Sequence, residues 1–185
     1  MLEDENKLIK EAQKGESDCF GRLYDHYIPQ IYRFVLMKIN HHQEAEDLVH
    51  DVFLSAWQNI DSYSHQGFPF SSWLYQIARN KVIDYYRLKK STIQLDNIDE
   101  SFVKIASAVE HNLDANLDIG RIYGTLNQLT PDQKDVIIMR FIEDLSHQEI
   151  SAAMGRSEGA IRLLQHRAIN TLKDLLNNNE RGNIN

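Results

Sequence analysis

The stretch LTPDQKDVIIMRFIEDLSHQEISAAMGRSEGAIRLLQHRA, residues 129–168, is the most heavily punctuated part of the chain. Thr130-Pro131-Asp132-Gln133 supplies an N-cap, a proline at the first helical position and a glutamine that can complete a capping box. Ser146-His147-Gln148-Glu149 supplies a second capping box. Gly155 breaks that short helix, and Ser157 can cap another that runs to about Leu176. The apolar residues Ile161, Leu164, Ala168, Leu172 and Leu175 recur at three- and four-residue intervals and give the last helix one buried face. A short capped helix, a glycine turn and a second capped helix make a helix-turn-helix, which places the first half of its second helix in a DNA major groove.

Upstream, helical spacing also dominates. A first helix should end near Lys14-Gly15, and Ser17 is a candidate N-cap for the next. That helix carries Phe20, Leu23, Tyr24, Tyr27 and Ile31 on one stripe, and Pro29 is expected to bend or break it. AEDLVHDVFLSAW (45–57) carries Leu48, Val49, Val52, Phe53, Ala56 and Trp57 on a second stripe. The loop NIDSYSHQGFP follows, and then FSSWLYQIARNKVIDYYRLKK (70–90) reads as a long helix with a core face of Phe70, Trp73, Leu74, Ile77 and Ala78. The expected fold is all-α: two small helical domains joined by a flexible acidic linker, the second a helix-turn-helix. The boundaries are 1–90, 91–118 and 119–185, with a frayed tail from about 177.

The chain has 185 residues, 42% hydrophobic and 25% charged, which suits one large or two small globular domains. No apolar run is long enough to cross a bilayer, the charged N-terminus lacks a signal-peptide core, and the single Cys19 fits a reducing cytoplasm. The net charge of −7 would repel DNA if it were evenly spread, but it is not. Residues 91–118 hold six acids and one base, whereas 76–90 hold five bases and one acid, and 156–173 four bases and one acid. A phosphate backbone feels such local patches within a Debye length.

Three segments carry candidate chemistry. On the last helix Arg162 and His166 lie four apart off the apolar stripe, with Gln165 and Arg167 beside them. Arg reads guanine bidentately and Gln reads adenine, while Arg156 and the capped helix start at Ser157 can hold a phosphate. A plain helical hairpin with a solvated face would show the same pattern. On residues 75–90 the helical wheel gathers Tyr75, Gln76, Arg79, Asn80, Ile83, Tyr86 and Arg87 opposite Trp73 and Ile77. Interleaved aromatic and basic residues suit single-stranded bases, although a solvated face with snorkelling cations has the same composition. On residues 43–57 Glu44, Asp47, His50 and Asp51 lie opposite the apolar stripe, either as an ordinary polar face or as a docking surface for another protein. The eight histidines form no ligand grouping with Cys19, and no glycine-rich phosphate loop, HExxH or serine elbow is present, so neither a metal, a cofactor nor an enzymatic activity is expected.

In this order the three segments resemble the bacterial RNA polymerase sigma factors. AEDLVHDVFLSAW looks like the polymerase-docking helix, FSSWLYQIARNKVIDYYR like the promoter-melting helix and residues 129–168 like the C-terminal helix-turn-helix domain. The large intermediate domain of housekeeping members has no counterpart, which points to the extracytoplasmic-function (ECF) subfamily. The resemblance implies docking on core polymerase through the Asp47–Asp51 face and capture of the single-stranded minus-ten element. It implies that the loop at about 61–70 receives a flipped base, for which Tyr63, Phe68 and Phe70 offer stacking faces. It implies duplex recognition of the minus-thirty-five element through Arg162, His166 and Arg167, with Ser157 at the helix start. Where many relatives have Thr-Val-Lys-Ser-Arg, this chain has Ala160-Ile161-Arg162-Leu163-Leu164, so Leu163 and Leu164 replace polar positions.

The implied function is promoter-specific initiation: directing core polymerase and opening DNA with binding energy alone. Partners implied are core polymerase, promoter DNA and an anti-sigma factor of the kind that wedges between the two domains of relatives. The acidic linker would thread a basic polymerase channel in the manner of RNA, or serve as a solvated tether. The competing assignment is a helix-turn-helix regulator that binds duplex DNA without polymerase, and the aromatic-basic helix 75–90 distinguishes the two.

Overall fold

The computed structural model describes residues 4–65, 67–92 and 124–182. The acidic segment 91–118 falls almost wholly outside them, as do the last three residues. Within the described residues every regular element is helical. The first domain comprises α1 (Glu5–Gln13), α2 (Ser17–Ile39), α3 (His42–Gln58) and α4 (Phe70–Thr92). The second comprises α5 (Pro131–Ile137), continued by a π-helical turn at Ile138–Ile142, then α6 (His147–Met154) and α7 (Glu158–Gly182).

Capping works largely as the sequence predicts. The Thr130/Gln133 and Ser146/Glu149 boxes both form in full. Gly155 adopts the left-handed conformation at the end of α6 (φ 62°), and the Arg156 N–H bonds the Ser151 carbonyl to close the turn. The start of α2 moves by one residue: Glu16 is the cap and Ser17 already helical. Pro29 does not break α2, which runs unbroken through it. Proline deprives the carbonyl four residues earlier of its partner, and that carbonyl belongs to Asp25; both residues are exposed, so water can replace the lost bond. The cap of α3 was not read from the sequence: His41 accepts from the Glu44 N–H through Nδ1.

The first-domain core forms where the stripes of α2, α3 and α4 meet. Leu23, Tyr27, Ile31, Val49, Val52, Phe53 and Ala56 are buried there, as expected. On α4 the buried set differs from the expected one: Phe70, Leu74 and Ala78 are buried, Trp73 and Ile77 only partly so, and Tyr75 and Val82 join the core. The second core gathers Val136, Ile138, Met139, Ile150, Ile161 and Ala168 from α5, α6 and α7. α4 also packs along α6, so the two domains lie against each other.

Candidate nucleic-acid interface

α7 leaves most of the residues expected to contact DNA in solvent. Ser157 accepts from the Ala160 N–H and caps the helix, while Ile161 and Ala168 point into the core. That rotation turns Arg162, His166 and Arg167 outward. Arg162 is held by Glu158 one turn earlier at 3.0 Å, an exposed pair worth a few tenths of a kcal/mol. Gln165 is partly buried, its amide oxygen 2.6 Å from His147 Nε2, so its freedom to read a base is curtailed by α6. Leu163 is 51% exposed beside Arg162 and packs into no core, whereas Leu164 is partly buried as the stripe requires.

The expected single-strand face divides. Gln76, Asn80, Ile83, Tyr86 and Arg87 are exposed on α4, with the Tyr86 hydroxyl anchored on the Lys38 carbonyl at 2.6 Å and Arg87 beside Asp84 at 3.3 Å. Tyr75 is not part of that face. It is fully buried, its ring edge-on to Phe34 with centroids 5.4 Å apart. Burial first, and the nearby Glu143 carboxylate second, push its hydroxyl far above the ordinary tyrosine range. The reason is that α4 is covered on two sides, by α2 and α3 and again by α6. Tyr75, Ala78 and Val82 form a second apolar stripe at i, i+3 and i+7, which a one-sided wheel does not anticipate. Arg79 is also withdrawn, at 17% exposure, by ion pairs to Asp132 and Asp135.

The loop before α4 is tied down at both ends. Gln13 donates to the carbonyls of Ile60 and Tyr63 at 3.0 and 2.8 Å. Tyr63 and Phe70 are both buried and pack edge-on, centroids 5.1 Å apart, with Trp73 against each of them. Phe70 therefore offers no stacking face, and Tyr63 serves mainly as a wall, its hydroxyl donating to the Phe68 carbonyl at 3.2 Å. Together with Phe68, Ser72, Trp73, Gln76 and Ala152 it lines an open cavity of about 290 Å³. The Ser72 hydroxyl is buried at this cavity with no hydrogen-bond partner among the described residues. An unsatisfied buried hydroxyl is unfavourable unless something else satisfies it. The sequence reading missed Ser72, since only its burial and isolation mark it.

On α3, Asp47, His50 and Asp51 are exposed. Glu44 is instead held within the domain: it accepts from the Tyr85 hydroxyl and lies 3.3 Å from the Lys89 ammonium. Partial burial would raise its pKa, but those two donors outweigh it and hold the carboxyl below the usual range. Beside the free acids lies an apolar groove between α2 and α3, walled by Phe20, Tyr24, Phe53 and Trp57, with Leu54 half-exposed at its edge. Among the described residues no group of acids, histidines or cysteines could hold a metal, and no helix is long and apolar enough to cross a membrane.

A capped helix with an exposed basic face on one domain, and a basic helix beside an open cavity on the other, make a two-domain, all-α chain whose candidate DNA surfaces lie on both domains. The family model of Sigma-70 region 2 matches residues 23–92, and that of Sigma-70 region 4 matches residues 125–174. The chain belongs to the ECF RNA polymerase sigma factors. It is 30% identical to SigX of Bacillus subtilis over 84% of this chain and 82% of that one. It is 31% identical to SigW of the same organism, over 92% and 95%. Its identity to BldN of Streptomyces coelicolor is 34% over 92% of the chain, which spans 65% of that longer protein. Among solved structures it resembles CnrH in complex with the cytosolic domain of CnrY (TM-score 0.70, 25% identity, 92% of this chain and 95% of that one). It also resembles the sigma factor RpoE bound to the anti-sigma factor NepR from Bartonella quintana (TM-score 0.70, 28% identity, 85% and 96%).

Proposed function

We propose that this chain binds core RNA polymerase, directs it to specific promoters and holds the minus-ten strand open to start transcription, catalysing no reaction itself. The observation that carries this reading is the pairing, on one chain, of two unlike DNA surfaces. One is an exposed recognition helix suited to duplex; the other is a basic helix against a cavity suited to a single unstacked base.

Each surface has a distinct task. Arg162, His166 and Arg167 read the minus-thirty-five duplex, with Arg156 and the Ser157-capped start of α7 on the phosphates and Gln165 in support. Gln76, Arg79, Asn80, Tyr86 and Arg87 track the minus-ten strand. The cavity walled by Tyr63, Phe68 and Trp73 takes one flipped base, and Ser72 supplies the hydrogen bond that holds it. Binding energy from the captured base offsets unstacking, which amounts to a few kcal/mol, so no nucleotide hydrolysis is needed. Asp47, His50 and Asp51, with the apolar groove and Leu54 beside them, dock the polymerase by charge complementarity around an apolar centre. The partner polymerase places the chain in the cytoplasm, and an anti-sigma factor is a further expected partner.

The test is direct. The purified chain should co-elute with core polymerase and permit run-off transcription from a promoter template. A chain that binds duplex DNA but shows no affinity for core enzyme would instead be a free-standing helix-turn-helix regulator.

A further inference from the structure

The outward face of α7 has an apolar centre. Ile161 and Ala168 are buried and Leu164 packs against the same core, which sends Leu163 to the opposite side of the helix. Arg162 stands beside it, and His166, Arg167 and Asn170 follow on the same side, all of them exposed. Arg162 bonds back along the helix to Glu158 at 3.0 Å, and Asn170 lies 3.4 Å from His166, while Leu163 stays open to solvent between them. One turn before Leu163 comes Gly159. It is also exposed, and no other part of the protein lies within 4 Å of the point where its Cβ would stand. Glycine lowers the stability of a helix relative to alanine, and no packing in the described residues requires one here. It leaves bare backbone beside Leu163, where another surface can come close.

A lone exposed leucine needs no explanation. Leu163 differs in its company, because it is the centre of a face otherwise made of groups that bind phosphates and base edges. The major groove offers such a face one apolar feature, the C5 methyl of thymine. The other groups that tell base pairs apart there are hydrogen-bond donors and acceptors, which a leucine would strip of water without replacing the bond.

We infer that Leu163 is a specificity-determining residue, which selects an A·T pair in the upstream duplex by packing on the thymine methyl. The inference rests on the proposed assignment of α7 to that duplex. Arg162 and its polar neighbours read hydrogen-bonding edges, and Leu163 adds one position at which a methyl is read. Burying that methyl should be worth roughly fourfold in affinity. Cytosine at the same position lacks the methyl and presents an amino group, so it should be rejected more strongly.

The full chain, assembled with core polymerase, is used to select from a duplex library randomised across its upstream segment. The selection is repeated with the chain alone, so that a failure to bind polymerase does not decide the matter. Each thymine of the selected site, on either strand, is then replaced in turn by deoxyuridine, which removes only the methyl. At one position the parent chain should lose roughly fourfold in affinity. At that position cytosine should bind more weakly still, and 5-methylcytosine should recover roughly the same fourfold over cytosine. Leu163→Ser, whose fold is checked by circular dichroism, should no longer prefer thymine there and should bind the thymine and deoxyuridine duplexes equally.

A parent chain indifferent to deoxyuridine at every thymine overturns the inference, whether or not the variant folds. So does a Leu163→Ser chain that keeps the parent's thymine preference. Arg162→Ala in the same selection reports on α7 itself. If it changes the selected sequence while the methyl tests are flat, α7 reads the duplex and Leu163 takes no part. If neither variant changes the selected sequence, or the parent enriches none, the assignment of α7 falls and the inference with it.

Discussion

Lys134 is a buried base with an unusual environment, and its titration should be visible in the stability of the whole protein. Its ammonium donates to Asn127 at 2.6 Å and is otherwise enclosed. Burial chiefly, and the nearby Lys38 charge next, lower its pKa to about 8, while Asp135 opposes them weakly. Against an ordinary lysine this is roughly 3 kcal/mol of penalty on the charged form. The sign follows from proton counting. Below pH 8 the lysine is charged in both native and unfolded chains, and the native state carries the full penalty. Between pH 8 and about 10.5 the native lysine has released its proton while the unfolded one keeps it, so stability rises with pH. By pH 9.5 the gain should reach about 2 kcal/mol. Above about pH 10 the trend reverses, because Tyr27 and Tyr75 are held neutral by burial in the native state but ionise freely when unfolded. Urea unfolding at pH 7.5, 8.5 and 9.5 checks this, with Lys134→Met as control. The parent should gain stability across the window and Lys134→Met should not. Parallel profiles for the two proteins would refute the reasoning. Because the Lys38 charge also depresses Lys134, Lys38→Met should shallow the slope.

Tyr75→Ala should lower stability by about 3–5 kcal/mol in thermal or urea unfolding, the cost of emptying a fully buried aromatic site. Arg162→Ala should weaken binding to a minus-thirty-five duplex by about 1–3 kcal/mol and relax its sequence preference. Glu158→Gln, which frees Arg162 and removes a charge facing the phosphates, should strengthen binding about twofold, consistent with an exposed helix pair of a few tenths of a kcal/mol. Ser72→Ala should leave unfolding unchanged or raise stability slightly, since the hydroxyl is unpartnered, yet weaken capture of the single-stranded minus-ten element in the polymerase-bound state. Equal capture by both proteins would remove Ser72 from the site.

The elements were legible because local rules fix them. Both capping boxes, the Gly155 turn and the stripes of α2, α3 and α7 depend on residues within two helical turns of each other, and all are present. What was not legible depends on contacts distant in sequence. Tyr75 reads as a polar-tipped aromatic on a basic helix, and only the approach of Phe34 and of the second domain makes it core. Glu44 reads as a free docking acid until Tyr85 and Lys89, more than forty residues away, close on it. Ser72 has no sequence signature at all. The pairing of Arg79 with Asp132 and Asp135 likewise spans more than fifty residues. The exposed face of α7 was legible because one buried stripe orients the helix, and Ile161 and Ala168 do so without help from the first domain.

The chemistry of the interdomain face also decides how readily it opens. An interface closed by large apolar surfaces would resist separation in proportion to the area exposed. Here the ionic contacts across the face are Lys38 with Asp135, Arg79 with Asp132 and Asp135, and Arg33 with Glu143, beside the buried apolar stripe of Tyr75, Ala78 and Val82 on α4, along which α6 packs. Burying the Lys38–Asp135 pair removes hydration from two charges, and their attraction does little more than offset that loss. Deleting one partner by mutation strands the other and is costly, by about 3–5 kcal/mol. Parting the domains is a different event, because water, DNA phosphates or polymerase surface then meet both partners at once. Parting the domains also uncovers the Tyr75, Ala78 and Val82 stripe, so an apolar cost remains after the charges have been rehydrated.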